Sequence, residues 1–468
     1  MLFASNVFLL YFLPILLAVY FVIPRRFRAA RNAVLLIFSL IFYGYGSAKY
    51  LLLMLFSITA NYLGGLGAGL CKTKGARRLS LILAVTAGLC GLGYYKYAGF
   101  FSETAHALFP AFPVFSVALP IGISFFTFQG ISYVADVYRG NAKAQKNPFY
   151  VALYISLFPQ LIAGPIVRYT QIEREITDRT ETLHDVSRGL TRFCFGLAKK
   201  MILAGAAGEI ADAVFGGAPS VSLAWLGALA YTAQIYFDFS AYSDMAIGLG
   251  RVFGFHFAEN FNYPSVARTV TDFWRRWHIS LSSWFRDYVY IPMGGSRVGK
   301  SRHILNLLIV WALTGFWHGA AWNFILWGLW FGVLLIAEKY LWGKKLEKHP
   351  LIGHLTTLLI VVFSWVLFRA EGIGGAFRYL GAMFGVGAAA DSGRTVYYLL
   401  EYLPEWFLFI LCALPVRDFV KKRLASSGSP AAKTLLAWGP KVLALILLAI
   451  SYMKLSTGSF NPFIYFRF

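Results

Sequence analysis

Charge is scarce in this chain, and acidic charge scarcer still. Only 14% of its 468 residues are Asp, Glu, Lys or Arg against 58% hydrophobic, a balance that excludes an ordinary soluble protein. Asp and Glu number 21 against 43 Lys and Arg, a net charge of +22. In a soluble chain that excess would raise nucleic acid as a partner. Here the basic residues fall in short loops between apolar runs, where the positive-inside bias accounts for most of them, and no nucleic-acid partner is expected. Cysteine is almost missing: Cys71, Cys90, Cys194 and Cys412 are scattered without metal or redox spacing, which excludes a disulfide scaffold and leaves no metal site expected. No basic residue precedes the first apolar run, 2–23, and no small-residue cleavage pattern ends it; Arg25, Arg26, Arg28 and Arg31 follow at once. A signal peptide carries its charges in front, so this run reads as a first span with its N-terminus outside. No clear internal repeat, linker or low-complexity segment is present, and the chain reads as one domain, 1–468.

What the chain has in quantity is long uncharged runs from end to end, which makes it an all-α polytopic membrane protein. Further spans are expected at 33–45, 50–70, 79–95, 193–215, 221–249, 351–368 and 396–414, with a last one beginning at Lys441. Together with the first run and the apolar run around His318 this gives roughly eleven spans, plus re-entrant pieces in two broken passages. The broken passages are 112–138, containing PIGISFFTFQG, and 149–167, containing LFPQLIAGPIV. Pro120, Pro159, Gly164 and Pro165 would interrupt lipid-facing helices there, so both are expected to be kinked or re-entrant and enclosed by protein. The most charged stretch, 168–192, is the best candidate for an ordered cytoplasmic segment. Asp238 and Asp244 sit within an apolar run with Ser240, Tyr242 and Ser243 between them. They form either a satisfied polar knot between helices or a polar wall facing water.

The most unusual sequence runs from Asp272 to His318. It opens with DFWRRWHISLSSWFRDYVYIPMGG and closes with TGFWH, continuing GAAW. Read as a helix, Trp274, Trp277, Leu281, Trp284 and Tyr288 recur at steps of three and four, giving an aromatic stripe with His278 beside it. Thr269 with Asp272 is placed to form a capping box at its start. Aromatic rings and snorkelling arginines together suit a membrane interface. Between His303 and Glu338, His318 is the only ionisable side chain. The run is one long tilted helix or two shorter ones meeting, and Gly315 and Gly319 favour a break near the histidine. An ionisable group that deep in an apolar run is a functional candidate; the plainer alternative is a neutral histidine bonded to another helix.

FWRRWHISLSSWFRDYVYIPMGG followed by TGFWHGAAW resembles the signature of the membrane-bound O-acyltransferases. MLFASNVFLLYFLPILLAVYF, LFPQLIAGPIVRY and QIYFDFSAYSDMAIGLGRVFGFHFAENFNYP resemble the bacterial branch, and within it most the alginate O-acetylation proteins. Peptidoglycan O-acetyltransferases and teichoic-acid D-alanylation proteins are near relatives in this resemblance, which extends over essentially the whole chain. It implies a ring of helices plus re-entrant helices around a central tunnel, with His318 and His278 as the catalytic pair. Trp317, Trp322 and Asn323 are then expected to shape the site, and Arg168, Arg275, Arg276, Asp238 and Asp244 to line a tunnel or meet the donor. The arginines serve equally as positive-inside anchors.

The last residues, Phe463, Ile464, Tyr465 and Phe466, resemble a C-terminal Phe-x-Tyr-Phe motif of bacterial members. The resemblance implies that Tyr465 receives the acyl group and hands it on. An exterior tail, 456–468, reaches roughly 40 Å when extended, more than the ~15 Å from surface to bilayer centre; the alternative role is an aromatic interfacial anchor. By the same resemblance no cofactor is bound, and the acyl donor is acetyl-CoA or a phosphopantetheine thioester on an acyl carrier protein. The sequence has no Gly-x-Ser-x-Gly elbow or evident Ser–His–Asp arrangement. This agrees with relatives that leave the final esterification of a polysaccharide to an exported serine acetyltransferase of the SGNH type. The expected location is the bacterial inner membrane, among lipids, with both termini outside. The rival readings are a proton-coupled transporter, in which His278, His318, Asp238 and Asp244 form a relay, and a scaffold for the exported partner. The absence of an internal repeat weighs against the transporter.

Overall fold

The computed structural model describes residues 1–46, 48–391, 393–457 and 463–464, without the side chains of Lys344 and Glu347. Every regular element among them is a helix, as the residue pattern predicts. Two compact units are present, one formed by Met1–Phe193 with Met245–Ala258, the other by Cys194–Asp244 with Glu259–Phe468.

The first unit contains α1 (Leu13–Val22), α2 (Arg28–Gly44), α3 (Lys49–Leu70), α4 (Lys74–Leu108), α5 (Ile123–Arg139), α6 (Pro148–Ser156), α7 (Tyr169–Thr177) and most of α8 (Leu183–Ala198). The second proline-punctuated passage is broken as expected, whereas the first has a non-helical and largely exposed stretch, 112–119, ahead of one unbroken helix. After Pro120 the chain enters α5, which is buried at every position from Ile123 to Val137. A helix enclosed on all sides has no use for an apolar stripe, so Gln129, Ser132 and Asp136 lie inside with the phenylalanines. The second passage stops at Ser156 and turns through Phe158–Leu161. Its freed backbone is partly re-satisfied by Tyr154, whose hydroxyl donates to the Val167 carbonyl at 3.0 Å and also lies 3.2 Å from the Gln129 carbonyl of α5; such pairing is the condition under which irregular backbone survives away from water.

The charged stretch 168–192 is ordered around one buried carboxylate. Glu181 bonds Arg31 at 2.9 Å, Arg28 at 2.5 Å and the Tyr20 hydroxyl at 2.5 Å. Burial pushes its pKa up, but the hydrogen bonds from Arg28 and Tyr20 prevail and hold it below the usual carboxylate range.

The second unit contains α9 (Gly205–Phe215), α10 (Val221–Val252, assigned to this unit as far as Asp244), α11 (Val270–Arg276), α12 (Ile279–Phe285), α13 (Lys300–His318), α14 (Trp322–Ala337) and α15 (Pro350–Arg369). They are followed by α16 (Gly372–Met383), α17 (Arg394–Glu401), α18 (Leu403–Ala413), α19 (Val416–Ser426) and α20 (Pro430–Ser456). Five helices among the described residues are long and apolar enough to cross a membrane: α3, α4, α15, α20 and the run Trp322–Trp342. The pair α17 and α18, bent by 68°, makes a sixth if counted as one span. This criterion falls short of the roughly eleven spans expected from the sequence: some apolar runs form shorter helices, such as Val7–Val22, and others, such as α10, are long but interrupted by polar residues.

Candidate functional site

The site begins with a short helix that is held at its first turn. The Thr269 hydroxyl accepts from the Asp272 N–H at 3.0 Å, one half of the capping box expected from the sequence, while the Asp272 carboxylate accepts from the Arg268 N–H at 3.4 Å and not from that of Thr269. A second acceptor comes from far along the chain: the buried Glu338 carboxylate takes the N–H groups of Val270 at 2.7 Å and Thr271 at 3.0 Å. A carboxylate on the unpaired donors of a helix N-terminus satisfies them and complements the helix dipole.

The continuous helix suggested by the aromatic spacing does not form. α11 ends at Arg276, Trp277 is extended, and His278 takes φ 43°, ψ 53°, in the left-handed region, before α12 starts. That conformation costs a non-glycine residue about 1–2 kcal/mol, so the surroundings must enforce it. Two backbone bonds do so: the Asn262 N–H donates to the Arg276 carbonyl at 2.9 Å, and the Ile279 N–H donates to the Asn260 carbonyl at 3.0 Å. The Asn260 side chain completes the hold. Its Oδ1 accepts from the Ser280 N–H at 3.1 Å and the Ser280 hydroxyl at 2.8 Å, and lies 3.3 Å from His278 Nδ1. Its Nδ2 donates to Ser243 at 3.1 Å. The break keeps the aromatic residues inward on both sides: Trp274 packs on Trp311 and Phe331, and Trp277 on Phe261 and Trp365.

His318 is the last residue of α13, so the two-helix alternative holds, with the turn where the glycines predicted it. A Cβ on Gly315 would come within 2.2 Å of the Phe324 carbonyl oxygen, and one on Gly328 within 2.2 Å of that of Trp311. Only glycine lets α13 and α14 cross this closely. His318 is buried with its ring 5.0 Å from Trp327, 5.4 Å from Phe368 and 6.4 Å from His278. The two histidines, forty positions apart in the chain, therefore lie together among aromatic rings. His278 is fully buried and lies outside the helices long enough to cross a membrane. Burial pushes its pKa down to about 3, so it is neutral at physiological pH. Its Nε2 and the Trp327 indole N–H are buried with no hydrogen-bond partner among the described residues, and are groups with which a polar substrate can pair.

Asp238 and Asp244 are both ion-paired. Asp238 lies 2.8 Å from Lys200 with both side chains buried, and Asp244 pairs with Lys199. The two lysines open the π-helical turn Lys199–Ala204. Asp238 also receives the backbone N–H of Ile464 at 2.8 Å. Phe463 and Ile464 are buried, and the Phe463 ring lies 5.0 Å from Tyr242 and 6.2 Å from Phe239, whose own ring is 4.6 Å from His278. Tyr465 lies outside the described residues.

The other expected residues are distributed as follows. Trp317 is buried with its ring 5.9 Å from His278, while Trp322 is largely exposed. Asn323 donates to the carbonyls of Leu367 and Ala370 at 3.4 and 3.3 Å, which ties the start of α14 to the end of α15. Arg276 bonds Asp272 at 2.9 Å and Arg275 is exposed. Arg168 belongs to the first unit, at the start of α7. Asn260, Glu338 and Lys200 did not stand out in the sequence. The available signals were the polar motif ENFNYP, the first acid after a long uncharged run, and a lysine pair that reads as an ordinary anchor.

Comparison with known proteins places this geometry. The model of the membrane-bound O-acyltransferase (MBOAT) family matches residues 143–373, which include both histidines. The probable alginate O-acetylase AlgI of Azotobacter vinelandii is 41% identical, with 100% of each chain covered. The peptidoglycan O-acetyltransferase of Helicobacter pylori is 32% identical over 100% of this chain and 98% of its own. The teichoic acid D-alanyltransferase of Bacillus subtilis is 30% identical over 55% of this chain and 69% of its own. With two buried histidines meeting in a multi-pass helical chain, and likeness to such enzymes along its full length, this chain belongs to the membrane-bound O-acyltransferase family.

Proposed function

We propose that this enzyme takes an acetyl group from a cytoplasmic thioester and delivers it across the inner membrane for O-acetylation of an extracytoplasmic polysaccharide, alginate first among the acceptors. The observation that carries the reading is the meeting of His278 and His318, 6.4 Å apart between ring centroids, inside an aromatic wall. The full-length likeness to alginate O-acetylases supports the acceptor class. Peptidoglycan is the second acceptor to test, given the relative at 32% identity.

In the proposed step an acceptor hydroxyl attacks the thioester carbonyl. The new C–O bond forms, the C–S bond breaks, and the hydroxyl proton passes to a neutral histidine and then to the leaving thiolate. His318 takes the proton and His278 orients the donor or shares the transfer. A neutral base suits this work, and burial keeps His278 neutral. Acetyl-CoA is the proposed donor, with a carrier-protein phosphopantetheine thioester as the alternative. The Tyr465 hydroxyl is the proposed first acceptor. Its neighbours Phe463 and Ile464 are buried against α10, where Phe239 touches His278. An exported SGNH-type serine acetyltransferase completes delivery, and both termini face outward.

The test uses purified protein in detergent with radiolabelled acetyl-CoA, comparing the wild type with His318→Ala and Tyr465→Phe. Label retained on the wild type and absent from both variants supports histidine-dependent transfer to the tail. Thioester loss that survives Tyr465→Phe but stops in His318→Ala keeps the enzyme and removes the relay. Thioester loss unaffected by His318→Ala would sink the proposed mechanism.

A further inference from the structure

We propose that Asn260 is the positioning residue that fixes the tautomer of His278, leaving its Nε2 as the proton-accepting nitrogen. The inference rests on the acyl-transfer reading for its purpose, but its geometry stands independently. Asn260 is fully buried, and its side chain faces four groups: the Ser280 N–H and hydroxyl, His278 Nδ1 and the Ser243 hydroxyl. One of these is the backbone N–H of Ser280, 3.1 Å from Oδ1. A backbone N–H can only donate, so the atom facing it must be the amide oxygen and not the NH2 group. The other end agrees, because Nδ2 finds an acceptor in the Ser243 hydroxyl at 3.1 Å.

With the amide so fixed, Oδ1 can only accept from His278 Nδ1 at 3.3 Å. A neutral imidazole has one N–H, so the proton sits on Nδ1 and Nε2 carries the lone pair. That Nε2 is buried and has no partner among the described residues. His278 is therefore set to receive a proton at Nε2 and to stabilise its charge through Nδ1–H. The backbone contributes as well: the same Asn260 accepts from the Ile279 N–H through its own carbonyl at 3.0 Å, beside the left-handed turn that aims the ring. One residue thus holds the main chain, the ring orientation and the tautomer together.

The experiment uses full-length protein in detergent with ¹⁵N-labelled histidine, the His278 signals being assigned by their loss in His278→Gln. Near neutral pH, His278 is expected as the Nδ1–H tautomer with an unprotonated Nε2; an Nε2–H tautomer would overturn the proposal. Three chains are then compared for tautomer, turnover and pH profile, each checked as monodisperse. Asn260→Leu should populate both tautomers and lose at least roughly ten-fold in turnover; a wrong tautomer costs as much as about 10⁴-fold in the serine-protease triad. Asn260→Asp keeps an acceptor at Oδ1 and should retain the Nδ1–H tautomer and more activity than the Leu variant. Its acid limb should move to higher pH, because a carboxylate favours the imidazolium. Wild-type tautomer and turnover in Asn260→Leu, or Asn260→Asp as inactive as the Leu variant with no change in pH profile, would refute it. The tautomer readout needs no substrate. A wild type inert toward every donor would therefore count against the functional reading and leave this assignment to be judged by its spectrum.

Discussion

His278 is held in a backbone conformation that its own side chain opposes. With φ at 43° it sits where L-residues other than glycine pay about 1–2 kcal/mol, and such outliers gather where function requires an exact side-chain direction. A direct consequence follows for substitution. His278→Ala removes the imidazole and keeps the backbone strain, whereas His278→Gly removes both. Both variants should lose turnover, but the glycine variant should melt above the alanine variant by roughly the energy of the strain, less the greater unfolded-state entropy of glycine, about 0.5–1 kcal/mol. Thermal unfolding in one detergent compares them directly. An alanine variant more stable than the glycine variant would mean that the turn carries little strain, and that His278 is placed by side-chain contacts alone.

At the scale of elements, the short helix α11 owes its place to an acid on a distant segment. Glu338 covers the N–H groups of Val270 and Thr271, both part of a first turn that has no intrahelical acceptor. Glu338→Ala leaves those donors buried and unpaired, a loss of roughly 1–3 kcal/mol, while Glu338→Gln keeps one acceptor oxygen and should lose less. Thermal melting should rank them wild type, Gln, Ala, with turnover falling in the same order because α11 leads directly into Trp277 and His278. Equal melting of all three would remove Glu338 from the account. The same elements show why parts of the site could be read from sequence and parts could not. The break at His318 was legible because Gly315 and Gly319 mark a close crossing in residue type itself. The break at His278 was not, because Trp274, Leu281 and Trp284 keep a helical spacing through it and the agents of the break, Asn260 and Asn262, lie in an earlier loop. Thr269 as a cap is local and was legible; Glu338 on the same turn is a long-range contact and was not. Sequence alone leaves Asp238 and Asp244 open between a polar knot and a wet wall, and the structure pairs both with lysines. Their partners, Lys199 and Lys200, looked like two more basic residues at a membrane edge.

For the whole molecule, the distribution of charge makes a claim about sidedness. Arg25 to Arg31 follow the first apolar helix; Lys72 lies between α3 and α4, and Lys74, Arg77 and Arg78 lie at the start of α4. Both clusters fall on one side if Val7–Val22, α2 and α3 each cross, and the positive-inside bias makes that side the cytoplasm. Two native cysteines test this. Cys71 is a partly exposed thiol at the end of α3, next to the second basic cluster. Cys90 is exposed on the apolar surface of α4, where a membrane would cover it. In a chain retaining only Cys71, a membrane-impermeant maleimide should label inverted vesicles and not right-side-out cells; a chain retaining only Cys90 should label from neither side. Labelling of Cys71 from outside alone would invert the orientation and move the expected donor face with it. Labelling of Cys90 from either side would show that α4 meets water, and the long uncharged surface there would have to belong to a protein contact and not to lipid. If the expected pattern holds, the first basic loops lie on the cytoplasmic face, the side on which the proposed thioester donor is found.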